Sequence, residues 1–203
     1  MGILERSLAI LSGLREKQAI LHTTEDPDWL DTYTSAPAVG FVDPAGFVNK
    51  TMPQPRALAL QLVNTGGGGT RTFSVTLHGT RRGRAQSETI TVSGGGGATF
   101  NALGTKVFDN VGRYEVLVAS GFTASDVWNI GFQNSDGSRY GLPIDVKSKD
   151  DIVGAMAGTG VTTVGTPIDM STATVDVLDQ SIRWTPALAD SALVILTIRT
   201  SLK

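Results

Sequence analysis

From Pro55 onward the apolar residues of this chain fall at every second position, in short runs. Leu58, Leu60 and Leu62 alternate with Ala59 and Gln61, and Phe73, Val75 and Leu77 alternate with Ser74, Thr76 and His78. Thr89 to Val92, Tyr114 to Val118 and Trp128 to Phe132 repeat the pattern, as do Val175 with Val177 and Ile182 with Trp184. A period of two sends successive side chains to opposite faces of a strand. Gly66 to Gly69 and Gly94 to Gly97 interrupt the runs and read as flexible loop tips. Asn134-Ser135-Asp136-Gly137 is a turn signature leading into Tyr140 and Leu142. Leu193 to Ile198 is apolar on both faces, which suits a central strand or one covered by a neighbour. Asp150 to Met156 reads as a helical turn between strands. Short strands joined by glycine-rich turns predict an all-β fold, an antiparallel β-sandwich, with residues 56–203 as its body.

The first 55 residues differ. Ile3, Leu4, Leu8, Leu11 and Leu14 recur at spacings of three and four and predict an amphipathic helix over residues 3–21, weakened in its middle by Ser12-Gly13. From Glu25 to Pro55, five prolines punctuate a stretch without a sustained period. Trp29, Tyr33, Phe41 and Phe47 are spaced along it. A disordered linker is poorer in aromatics. Residues 1–55 therefore predict a partly helical, extended arm lying on a surface, such as that of another subunit.

Composition narrows the function. Charged residues make up 18% of the chain, against about 25% in an average domain. Lys plus Arg number 17 and Asp plus Glu 19, so the net charge is −2 and the basic surplus of a dedicated nucleic-acid binder is missing. There is no cysteine, and His22 and His78 are the two histidines, which disfavours thiolate, metal and triad chemistry. Glu5 and Arg6 interrupt the first apolar run, so no secretory signal is expected. No run reaches the ~18 apolar residues of a membrane span.

Motifs that carry chemistry are incomplete. Gly104-Thr105-Lys106 lacks the order of a phosphate loop, and Gly158-Thr159-Gly160 lacks the third glycine of a dinucleotide fingerprint. Asp150-Asp151 reads as a solvated turn. No catalytic, cofactor or metal residues are assigned, and the chain is not expected to be an enzyme. One charge feature stands out: Arg71, Arg81, Arg82 and Arg84 gather with His78 and no acid until Glu88. The tip Thr80-Arg81-Arg82-Gly83-Arg84 is a candidate for holding an acidic surface or phosphates through guanidinium contacts. The plainer reading, a soluble turn whose charges discourage edge pairing, weighs more.

Gly79-Thr80 through Gly83-Arg84 into Glu88 to Val92, then Lys106 to Val111, resembles a recurring segment of tailed-phage virion proteins. Asn129 to Phe132, Tyr140 to Pro143 and Arg183 to Pro186 continue the likeness, which spans residues 70–200 and leaves out the arm. The family it resembles is the capsid decoration, or cement, proteins. The resemblance implies a jelly-roll-like sandwich, a homotrimer on the outside of a phage head and the major capsid protein as partner. From charge and apolar-run length, neither nucleic acid nor membrane is expected as a partner. In that setting Trp29, Tyr33, Phe41, Phe47, Arg81, Arg82 and Arg84 are the candidate capsid contacts. A tail, fibre or receptor-recognition sandwich and a carbohydrate-binding module are the alternatives.

Overall fold

The structure is a computed structural model and describes residues 14–48, 52–64, 66, 68–158, 166–188 and 193–201. In chain order its strands are β1 (Leu14–His22), β2 (Asp26–Tyr33), β3 (Gly40–Val42), β4 (Ala59–Val63), β5 (Arg71–Arg81), β6 (Arg84–Gly94), β7 (Thr99–Leu103), β8 (Asn110–Ser120) and β9 (Val127–Phe132). After these come β10 (Tyr140–Gly141), β11 (Ile152–Gly158), β12 (Thr166–Pro167), β13 (Ala173–Asp176), β14 (Ser181–Trp184) and β15 (Leu193–Ser201). Every paired ladder among them is antiparallel. The fold is all-β.

Strands β2 to β9 make a jelly roll. One sheet runs β2-β9-β4-β7 and the other β3-β8-β5-β6, so the chain switches sheets at every connection except the β5–β6 hairpin. Its core lies between the sheets. Leu60, Leu62, Trp128 and Ile130 face Phe73, Val75, Leu77, Tyr114 and Val116, all fully buried. The opposite faces of β5 and β6 carry paired hydroxyls, Thr76 with Thr89 at 2.7 Å and Ser74 with Thr91 at 2.8 Å. That split is the alternation read from the sequence.

A second, smaller β-module packs sheet β1-β15-β11-β12 against β10-β14-β13. Its separate core holds Leu21, Tyr140, Leu142, Ile182, Trp184, Val194, Leu196 and Ile198. As expected for a strand apolar on both faces, β15 is central, between β1 and β11.

Three expectations need correction. The predicted helix over 3–21 is a strand over its described part: residues 14–22 form β1, and residues 3–13 lie outside the described residues. Nine register pairs join β1 to β15, with Lys17, Ala19 and Leu21 opposite the inward residues Ile198, Leu196 and Val194. A helix there would leave one edge of β15 without hydrogen-bond partners, which a core strand does not tolerate. The 1–55 arm is also no separate element. β1, β2 and β3 are edge strands of three different sheets, and the jelly roll sits in the chain between β1 and the rest of the second module. The expected helical turn at Asp150 shrinks to one 3₁₀ turn, Lys149–Asp151, and β11 follows at once.

Candidate functional site

The site is built at the end of the β5–β6 hairpin, where the jelly roll meets the second module. Arg82 and Gly83 form its two-residue turn, with φ of 52° and 75° and Arg81 opposite Arg84. Positive φ at both positions matches the right-handed twist of the flanking strands. Glycine adopts it freely, whereas Arg82 is held there by bonds. Its backbone N–H and its guanidinium donate to the carboxylates of Asp109 and Asp145, respectively, and Nη2 donates to the Leu142 carbonyl at 3.0 Å. Arg81 is buried. Its Nη1 donates to Asp109 Oδ1 at 2.5 Å and Nη2 to the Gln180 carbonyl at 2.8 Å. The two tip arginines thus tie the jelly roll to the second module.

Arg84 differs. It is exposed, and its side chain makes no hydrogen bond or ion pair among the described residues. It faces a cleft of about 1310 Å³ between the two modules, which Arg81, Arg82, Lys17, Lys147 and Arg199 also line. Asp145, Asp151 and Asp179 are the acids of that lining. Burial raises the Asp179 carboxyl above its ordinary value of 3.8, against the opposing pull of its hydrogen bond to Ser181 and the charge of Arg81.

Arg56, only 2% exposed, was not singled out by the sequence. Its guanidinium lies between two rings, 4.9 Å from the centre of Phe132 and 4.8 Å from that of Tyr140. Nη1 donates to the Thr24 carbonyl at 2.5 Å and Nη2 to that of Gln133 at 3.1 Å. An isolated arginine after Pro55 gives no periodic signal, so pattern reading misses it.

The four arm aromatics separate. Trp29 and Phe47 are buried in the jelly-roll core, Trp29 stacked on Phe132 at 4.7 Å and Phe47 on Tyr114 at 5.4 Å. Tyr33 packs against the same core, and its hydroxyl meets that of Tyr114, which in turn donates to the Asp31 carboxylate. Burial, with the nearby Asp31 charge, pushes the Tyr33 phenol up to about 12 despite the opposing hydrogen bond of Tyr114. Phe41 alone is open to solvent, 57% exposed, with the Arg113 guanidinium 4.5 Å from its ring centre. Aromatics expected along a free arm are therefore, Phe41 excepted, packed within this chain. Arm strands supply the edges and part of the filling of the sandwich, which a loose arm does not.

The first tetraglycine segment is also more than a loose tip. The buried Arg71 donates Nη1 to the carbonyls of Gly68 at 2.5 Å and Gly69 at 2.6 Å, while Nε reaches Asp126 at 3.0 Å. Gly68 and Gly69 have φ of 66° and 88°, which lets their carbonyls turn toward one guanidinium. Burial raises the Asp126 carboxyl, but hydrogen bonds from Thr123 and Arg71 and the Arg71 charge outweigh it and hold it below 3.8. Arg71 therefore leaves the basic cluster for a structural ion pair.

Among the described residues no group of three or more His, Asp or Glu side chains is placed to hold a metal ion. No protein-family model, curated protein or solved structure matches the chain.

Proposed function

We propose that this chain is a structural virion protein, a capsid decoration protein that binds the outside of a phage head and bridges major capsid subunits. The observation that carries the reading is where the family-like segments lie. They are dispersed along the sequence yet meet at one junction. Thr80 accepts from the Asp109 N–H at 2.8 Å, Arg81 pairs with Asp109, Phe132 and Tyr140 enclose Arg56, and Tyr140 pairs with Ile182 beside Arg183. The likeness therefore follows the packing that sets one module on the other. A jelly roll supports the reading as an architecture shared by viral capsid and lectin domains.

Homotrimer formation belongs to the same reading. Ile20, Ile195 and Met156 lie side by side across β1, β15 and β11 on the outer face of that sheet, with Ile20 and Met156 exposed. An apolar row of this kind favours burial against a second copy. A carbohydrate-binding module is disfavoured, because Trp29, Trp128 and Trp184 are all buried and none offers a ring to a sugar. The deciding experiment is to add purified protein to heads that lack it and count bound copies. Hundreds of copies on the head support the proposal. A few copies at the tail favour the tail or fibre alternative, and no binding overturns both.

A further inference from the structure

We propose that the cleft below the β5–β6 turn binds an acidic peptide segment of a partner protein, in which carboxylates are interspersed with apolar side chains. The inference stands apart from the virion reading. Six cations and three acids line the cleft, a local excess of positive charge in a chain whose net charge is −2. Part of that charge is already used. Arg81 and Arg82 are held by Asp109 and Asp145, and Arg199 lies 3.9 Å from Glu16.

Three cations remain. Lys17 on β1, Arg84 on β6 and Lys147 in the loop before β11 are exposed, and their side chains have no partner among the described residues. They come from three elements and face one volume. Lys17 stands opposite Ile198 in the β1–β15 register, so it leaves the sheet on the face that packs inward, at the end nearest the cleft. Three free cations converging from separate walls fit separate carboxylates better than one compact anion.

The lining also offers apolar surface. Leu178 is 100% exposed at the tip of a turn. That turn is fixed by Asp176, whose Oδ1 accepts from the Leu178 N–H at 3.0 Å and the Asp179 N–H at 3.1 Å. Pro143, Ile144 and Val177 continue the apolar surface. A leucine held out on an anchored turn loses little freedom when covered.

Geometry and charge exclude the nearest rivals. At about 1310 Å³ the open cleft exceeds the ~300–1,000 Å³ typical of small-molecule sites. Nucleic acid is disfavoured for two reasons. No aromatic side chain lines the cleft to stack a base, and three aspartates stand among the cations, where a phosphate backbone brings closely spaced negative charge.

The test is fluorescence anisotropy on the full chain. The probe is a labelled peptide of Asp and Glu alternating with Leu and Ser. The controls are its Asn/Gln counterpart and a labelled oligothymidylate of equal length. Saturable binding of the acidic peptide is expected, weakened about tenfold or more by the Asn/Gln change or by combining Lys17→Ser, Arg84→Ser and Lys147→Ser. Leu178→Ser should weaken it several-fold and leave its salt dependence intact. Absence of saturable binding, equal binding by the triple variant, or tighter binding of oligothymidylate overturns the proposal. Should the triple variant unfold, Arg84→Glu decides: a several-fold loss supports the site and unchanged affinity overturns it.

Discussion

The Arg56 guanidinium lies 4.8 Å from the centre of the Tyr140 ring, and the two residues also share a backbone bridge. Phe132, at the end of the jelly roll, supplies the second ring. One buried side chain thereby joins the last strand of one module to the first strand after it. Guanidinium is suited to this because it stacks on rings while its edge donates in plane. Arg56→Ala is expected to cost about 2–4 kcal/mol, from the lost stacking and two charge-assisted hydrogen bonds. Arg56→Lys should recover little of it, because an ammonium cannot stack and reach both carbonyls. Urea unfolding midpoints of the three proteins check this.

The tip arginines should separate by function. Arg81→Ser removes a buried partner of Asp109 and the bond to the Gln180 carbonyl, and it should lower stability by about 2–4 kcal/mol. Arg84→Ser, at an exposed position without a partner, should stay within about 0.5 kcal/mol of the parent. Thermal unfolding distinguishes them. Replacing all three arginines together would mix unfolding with loss of binding.

Asp126 makes stability depend on acid. Its folded pKa lies below the unfolded value near 3.8. Such a group stabilises the fold above the unfolded value, and that contribution disappears as pH falls through the lower, folded one. The parent should therefore lose stability as pH drops below 3.8, beyond the loss shared with an Asp126→Asn variant. At neutral pH the variant should be less stable by about 3–5 kcal/mol, since Arg71 is left buried without its counter-charge. Urea titrations of both proteins across that range give the two curves.

Removal of residues 1–55 should abolish folding. The truncation takes away β1, β2 and β3 and with them the buried Leu21, Trp29, Leu30 and Phe47. At about 1.5–3 kcal/mol for each large side chain, the loss consumes most of a typical stability of about 5–15 kcal/mol. The reading of these residues as an arm predicts a folded, non-binding sandwich. Loss of a cooperative unfolding transition in the truncated protein, with dye binding to exposed apolar surface, is the outcome expected from the structure.

Strands with strict alternation were legible because one face meets the core and the other meets water. Ile90 and Val92 on β6 and Tyr114 and Val116 on β8 show this directly, each buried between more open neighbours. β1 was hidden because Leu14 continues the helical spacing of Leu4, Leu8 and Leu11, while its strand character depends on β15, which lies far away in sequence. β2 was hidden for another reason. Trp29, Leu30 and Asp31 are buried in succession where the pairing with β9 breaks register, so no period of two survives. Isolated charges behave alike: Arg71 and Arg81 look like surface cations until distant carboxylates and carbonyls are brought to them. Lys17, within a span read as helix, had no visible relation to Arg84.

Among the described strands, the pairing of β1 with β15 joins the first to leave the ribosome with the last. At synthesis rates of about 5–20 residues per second, β1 waits on the order of ten seconds for its neighbour. The jelly roll has all eight of its strands well before then. A nascent chain therefore carries a finished sandwich beside an open one, whose Leu21 and Trp184 lack their cover until Val194 and Leu196 arrive. Glu16, Lys17 and Gln18 keep the waiting strand polar along much of its length. Closing the chain on itself thus makes the second module the slow step of biogenesis, and the segment most in need of a chaperone.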